Sequence, residues 1–204
     1  MKTPRKVALL IETSNAYARG LLRGVVGYIR EHERWSLYLS EHNRGDKAPA
    51  WLSDWKGHGI ITRIENPSIA AALRDLKIPM VDMSAARLIP SLPWFETDDG
   101  AIAHLAAEHL LERGFTTFAY AGDNRFNWSN WRCEHFENCI RAAGHECFVY
   151  RKSKKFAPDE ELQVDDLANW IRSLPKPVGV MACYDFRGQQ VLDACRRIDV
   201  AVPD

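Results

Sequence analysis

Short runs of apolar residues alternate along the chain with longer segments whose apolar residues recur every three to four positions, and no other feature constrains the fold as strongly. VALLI at 7–11 is a continuous apolar run, the pattern of a strand covered on both faces in a parallel sheet. From Ala18 onward Leu21, Leu22, Val25, Tyr28 and Ile29 fall at helical spacing and make one face for packing on that sheet. Gly20, Gly24 and Gly27 weaken this helix, and close approach of its backbone to the sheet is the expected compensation. WSLYLS at 35–40, HGIITRI at 58–64 and IPMVDMS at 78–84 read as further strands, with PSIAAALRDL at 67–76 as a helix. WFETDDGAIAHLAAEHLLERG follows as a helix that Thr97 or Asp98 can cap and Gly114 can end.

TTFAYAG at 116–122 opens a second series, with a helix over 129–143, a strand at 147–151, a helix through Leu162, Leu167, Trp170 and Ile171, a strand in VGVMACYD at 178–185, and a last helix bearing Val191, Leu192, Cys195 and Ile198. Strands alternating with helices of this length imply right-handed, parallel βαβ units. The predicted fold class is therefore α/β, two doubly wound parallel-sheet lobes at 1–115 and 116–204. Only DVAVPD follows the last helix, where another strand is due, so the second lobe is expected to be incomplete.

Composition narrows the function. The 204 residues hold 27 Lys and Arg against 27 Asp and Glu, so the chain as a whole shows no basic footprint for holding phosphates. The five cysteines are odd in number and include no C-x-x-C pair, which signals neither a disulfide framework nor a zinc site; free thiols in a reducing cytoplasm are expected. VALLI is too short for a signal peptide's apolar region and meets Glu12 at once, and no stretch approaches the ~20 apolar residues of a membrane span.

The usual catalytic signatures are absent. TSNAYARG follows the first strand where a dinucleotide site wants G-x-G-x-x-G, and neither a phosphate loop, a G-x-S-x-G elbow nor H-E-x-x-H occurs. His104, Glu108 and His109 share a helix face but lack a recognisable further ligand, so no metal and no cofactor is expected. The basic run KSKKF at 152–156, followed by DEE, reads as a solvated turn.

Polar groups at the carboxyl ends of the predicted strands remain, where open α/β sheets bind ligands. They are Ser14, Asn15, Tyr17 and Arg19 after the first strand, Asp123 to Arg132 after TTFAYAG, and Tyr184, Asp185 and Arg187 after VGVMAC. Amide, carboxylate and guanidinium forks take two hydrogen bonds from neighbouring hydroxyls, while Trp and Tyr offer flat apolar faces, a mixture suited to a sugar. Each residue also has a structural reading: Ser14, Asn15 and Asp185 as helix caps, Trp128 and Trp131 as core.

TDDGAIAHLAAEHLLERGFTTFAYAG resembles the crossover segment of LacI-type and periplasmic-binding-protein-type sensor domains, and YDFRGQQVLDACRRIDVAVPD resembles the same family's segment before its V-P-D/E turn. KVALLIETSNAYARGLLRGVVGYI and the Trp128, Arg132, Phe136 spacing are similar to bacterial xylose operon regulatory proteins, in which this sensor fold precedes an AraC-type DNA-binding domain. The resemblance implies a cytoplasmic, non-enzymatic sensor of a xylose-like sugar, held in the cleft between lobes by Asn15, Tyr17, Arg19, Asp98, Trp128, Arg132 and Asp185. DNA would be reached only through a domain outside this chain, homodimerisation is left open, and no membrane is involved. Trp131 stands where acidic or small residues are commoner, so ligand preference is expected to differ. The competing expectations are an exported sugar-binding protein of a transporter and an unrecognised small-molecule enzyme.

Overall fold

A computed structural model describes residues 3–32, 34–40, 43, 46–151 and 160–202, with the backbone alone for 160–162. KSKKF falls outside the described residues. The order is β1 (Arg5–Leu10), α1 (Ala16–Glu31), β2 (Trp35–Leu39), a short 3-10 helix (Ala50–Asp54), β3 (Gly59–Thr62), α2 (Pro67–Arg74), β4 (Met80–Asp82) and α3 (Asp99–Glu112). Then come β5 (Phe118–Ala121), α4 (Asn127–Ala142), β6 (Cys147–Val149), α5 (Glu160–Ser173), β7 (Gly179–Ala182) and α6 (Asp185–Arg197). The strand–helix alternation of the sequence is thus present throughout, with strands shorter at their ends because their flanking polar residues turn into loops.

The chain divides into two compact units, residues 1–97 and 98–204. In unit 1 a parallel sheet has the order β2-β1-β3-β4, with Leu9 opposite Leu39 on one side and Ile61 on the other. Ala8, Leu10 and Ile60 on one sheet face pack with Leu52 of the 3-10 helix and Ile69, Ala70 and Leu73 of α2. In α1, by contrast, Ala18 is the fully buried residue, and its apolar positions are half-buried or exposed. The expected close approach at its glycines is not found, since a Cβ at Gly20, Gly24 or Gly27 would meet nothing within 4 Å.

Unit 2 holds a three-stranded parallel sheet, β6-β5-β7, one strand fewer than unit 1. Strict alternation along β5 sends Phe118 and Tyr120 into a core with Ala103 and Ala107 of α3 and Phe136 and Ile140 of α4. Ala121 joins the opposite core, with Leu167 and Ile171 of α5 and Val191 and Ala194 of α6. The sequence pattern restarts at residue 116, but α3 packs along α4 and beneath β5, so the compact units part at 97/98 instead of 115/116. Asp98 caps α3 by accepting from the Ala101 N–H at 2.9 Å, and Gly114, at φ 77°, turns the chain out of it. That positive φ suits glycine, which has no Cβ to strain. All five cysteines are free, Cys183 and Cys195 buried and the others half-buried.

Candidate functional site

Because all strands are parallel, their carboxyl ends gather at one edge of each sheet. In unit 1 that edge begins with Glu12, two residues past β1 and only 2% exposed. A carboxylate so placed requires partners, since an unpaired buried charge costs several kcal/mol. The Asn15 Nδ2 donates to Glu12 Oε1 at 2.6 Å, and Arg63, just past β3, forms a close ion pair with the same oxygen. Arg63 also pairs with Glu65 at 3.0 Å, and Glu65 accepts from Ser84 Oγ, just past β4, at 3.1 Å. A relay Asn15–Glu12–Arg63–Glu65–Ser84 therefore ties together the ends of β1, β3 and β4.

The predicted residues attach to this relay. Asn15 uses its other end to cap α1, its Oδ1 accepting from the Ala18 N–H at 2.8 Å. The exposed ring of Tyr17 lies 5.1 Å from the Arg63 guanidinium carbon. Arg19 donates to the Thr13 and Ser14 carbonyls at 3.2 and 2.9 Å, which fixes the loop on which Asn15 sits. Below the relay, Asp82 accepts from the Ile64 N–H at 3.1 Å, while its Oδ2 and the neighbouring buried Thr62 Oγ1 have no hydrogen-bond partner among the described residues. Burial raises the Asp82 carboxyl to about 6, the nearby Glu65 and Glu96 adding to the rise against backbone hydrogen bonds from Ile64 and Ser84.

In unit 2 the corresponding edge centres on Arg132, from the second turn of α4. Its Nε donates to Asp99 Oδ1 at 2.7 Å, in the first turn of α3, and its Nη1 donates to the Cys183 carbonyl at 2.7 Å, just past β7. Its guanidinium also lies 5.0 Å from the Trp128 ring, one turn earlier on α4. Trp128 stacks on Phe126 and meets Tyr184 edge-on, both with centroids 5.4 Å apart, and the exposed rings of Tyr184 and Phe186 continue the series at 6.1 Å. Asp185, two residues beyond the carbonyl held by Arg132, is the exposed first residue of α6. Tyr184 is the N-cap of that helix, so the cap expected of Asp185 is not formed.

Behind this surface lies a buried charged group. Asp123 takes a two-point interaction from Arg125 and a further contact, at 3.4 Å, from Arg187, whose Nη1 donates to Gln190 Oε1 at 2.8 Å. Burial pushes the Asp123 carboxyl up, yet the hydrogen bonds and charge of Arg125, aided by Arg187, hold it below the usual carboxylate value. Burial pushes the Cys133 and Cys147 thiols up to about 12, which leaves them poor nucleophiles. His104 contacts Glu108 at 3.2 Å on an exposed face, and no group of three or more His, Cys, Asp and Glu gathers among the described residues.

Each edge, taken by itself, presents hydrogen-bonding forks, neutralised in pairs, beside exposed aromatic rings. Such an arrangement can hold a neutral polyhydroxylated ligand, whose hydroxyls serve forks and whose C–H faces lie on rings. Asn15, Tyr17 and Arg19 are assembled in unit 1, and Asp98, Trp128, Arg132 and Asp185 along one edge of unit 2. Sequence reasoning missed Glu12, Arg63, Glu65, Ser84 and Asp99. For two of them the signal was an ionisable residue directly after a buried strand, Glu12 after VALLI and Arg63 after GIIT.

Residues 6–100 match the family model described as the XylR N-terminal domain, and residues 107–204 that of the periplasmic binding protein-like domain. The chain is 26% identical, over 98% of its length, to the xylose operon regulatory protein of Escherichia coli K12. It spans about half of that protein, 52%. The solved structure of a xylose-binding transcription activator superposes with TM-score 0.82 at 24% identity, covering 99% of this chain and 52% of the other. A periplasmic binding protein/LacI transcriptional regulator from Alkaliphilus metalliredigens, complexed with D-xylulofuranose, gives TM-score 0.65 at 18% identity over 98% of this chain and 74% of the other. The fold is therefore of the periplasmic-binding-protein type.

Proposed function

We propose that this chain, a homologue of the xylose operon regulatory proteins, is the sugar-sensing part of a bacterial transcription regulator. Its ligand is a neutral pentose, with xylose the leading candidate, and it carries out no chemistry on it. Arg132 is the observation on which the reading rests most heavily: it is aimed by Asp99 and the Cys183 carbonyl and flanked by an aromatic face. Trp128 would lie along the sugar's C–H face and Asp185 would accept from a hydroxyl; Asn15, Tyr17 and Arg19 are the candidate groups of unit 1. Asp98, engaged as a helix cap, would act by holding the start of α3.

A ligand that bound one conformation of the chain more tightly than another would meet the condition for shifting an equilibrium that a DNA-binding domain can read. In this reading that domain is of AraC type, lies outside this chain, and works in the cytoplasm. The paired charges favour a neutral sugar over a phosphosugar, because Arg63, Arg125 and Arg132 each already face a carboxylate. Calorimetric titration of the chain with xylose, other pentoses and xylose 5-phosphate tests the reading. Preferential binding of a neutral pentose is expected; preference for the phosphosugar, or its turnover, would overturn it.

A further inference from the structure

The formal neutrality of the chain conceals a segregation of charge. Residues 1–97 carry 14 Lys and Arg against 10 Asp and Glu, whereas residues 98–204 carry 13 against 17. In unit 1 the excess is not spread evenly. Arg5 and Lys6 open β1, Arg34 precedes β2, Lys56 precedes β3 and Lys77 precedes β4, and all five are exposed. Four parallel strands place these five cations along one edge of the sheet, opposite the edge that carries the candidate sugar groups.

Basic residues at helix carboxyl ends have an ordinary explanation, since they meet the negative end of the helix dipole. Arg30 of α1 and Arg74 of α2 are of that kind. The five at the strand starts are not, and unit 2 is the internal control. Within the same three residues before its strands it carries one Lys or Arg, Lys176, which is engaged with the Ile171 and Leu174 carbonyls, and one carboxylate, Glu146. The unit 1 edge spans three interstrand gaps of about 4.8 Å each, or about 14 Å, enough to face several phosphates of a duplex at once.

We propose that the amino-terminal edge of the unit 1 sheet is a contact surface for the phosphate backbone of duplex DNA. The choice of DNA among polyanions rests on the regulator reading above. The contact carries no sequence information; it adds sequence-independent affinity to whatever domain reads bases, because each phosphate neutralised releases counterions. β1 separates this edge from Glu12 by about 20 Å, well beyond the ~8 Å Debye length at physiological salt, so the edge can hold DNA without disturbing the sugar groups.

The test compares the chain with the triple variant Arg34→Gln, Lys56→Gln, Lys77→Gln and with a charge-matched control in unit 2, Arg141→Gln, Arg172→Gln, Arg196→Gln. Binding to a mixed-sequence duplex is measured between 50 and 200 mM salt, with xylose titrated in parallel. The triple variant should bind duplex at least about tenfold more weakly at low salt, and its log K against log salt should be shallower by about 2 to 3, at about 0.9 per phosphate contact. The control should bind as the parent does. Equal weakening in both variants, no weakening in the first, or triple-sensitive binding to anionic vesicles without binding to duplex would overturn the proposal. Xylose affinity reports separately: its absence with edge-dependent duplex binding intact sinks the sugar reading alone.

Discussion

Arg132 Nε donates to Asp99 Oδ1 at 2.7 Å across 33 residues of sequence, joining the second turn of α4 to the first turn of α3. Asp99 is buried and the Arg132 side chain largely so, and Arg132 is the charged partner that neutralises the Asp99 carboxylate. Arg132→Ala should lower sugar affinity roughly 10-fold to 150-fold, the equivalent of removing a charge-assisted contact of about 1.5 to 3 kcal/mol. Asp99→Asn retains an acceptor oxygen for Arg132 and should cost less. Calorimetry beside urea denaturation separates lost contact from lost stability, and a loss of stability without loss of affinity would assign Arg132 to the scaffold.

The Asp123–Arg187 pair makes a prediction about folding alone. The two side chains are 1% and 2% exposed; removing Asp123 strands the Arg187 charge in the interior, whereas Asp123 without Arg187 keeps its pair with Arg125. Asp123→Ala should destabilise unit 2 by about 3 to 5 kcal/mol, whereas Arg187→Met combined with Asp123→Asn should cost distinctly less. Denaturant midpoints of the single and double variants check this, and additive losses would contradict it.

Asp82 gives a pH dependence of opposite sign to the usual carboxylate. Its folded value, about 6, lies above the ordinary 3.8, so between about pH 4 and 6 the folded chain holds a proton that the unfolded chain has released. Stability associated with this group is therefore full below pH 4 and falls by up to about 3 kcal/mol as pH rises through 6, with no further change above. Asp82→Asn should abolish that component, so the stability difference between parent and variant should change between pH 4.5 and 7.5. Parallel urea profiles at the two pH values would exclude it.

Asn15 joins a helix cap to the Glu12–Arg63 relay, and the two roles can be parted. Asn15→Ser keeps a capping oxygen, so stability should change by only a few tenths of a kcal/mol, while the tie to Glu12 is lost and sugar affinity falls. Asn15→Ala should lose both, with about 1 kcal/mol of stability. Equal sugar affinity in the serine variant and the parent would leave Asn15 a cap only.

Local rules made much of this fold legible. The continuous apolar runs identified the buried strands, Asp98 and Gly114 marked the ends of α3, and strand–helix alternation implied parallel sheets, because each signal lies within a few neighbouring residues. What could not be read was set by packing between distant segments. The compact units part before α3 since its alanines pack on α4, a choice indifferent to where strands resume. The glycines of α1 face open space although helix propensity alone suggested a tight contact. At the site, Arg132 was recognisable from its spacing with Trp128 and Phe136, but its partner Asp99 and the link from Glu12 to Arg63, 51 residues apart, exist only once the strands are aligned.

The most direct test of sugar sensing is calorimetric titration of D-xylose into the chain beside its Arg132→Ala and Asp185→Ala variants, each first shown to be folded. A saturable heat is expected for the parent, with affinity reduced roughly 10-fold to 150-fold in both variants. Unchanged affinity in both, or tighter binding of xylose 5-phosphate than of xylose, would contradict it.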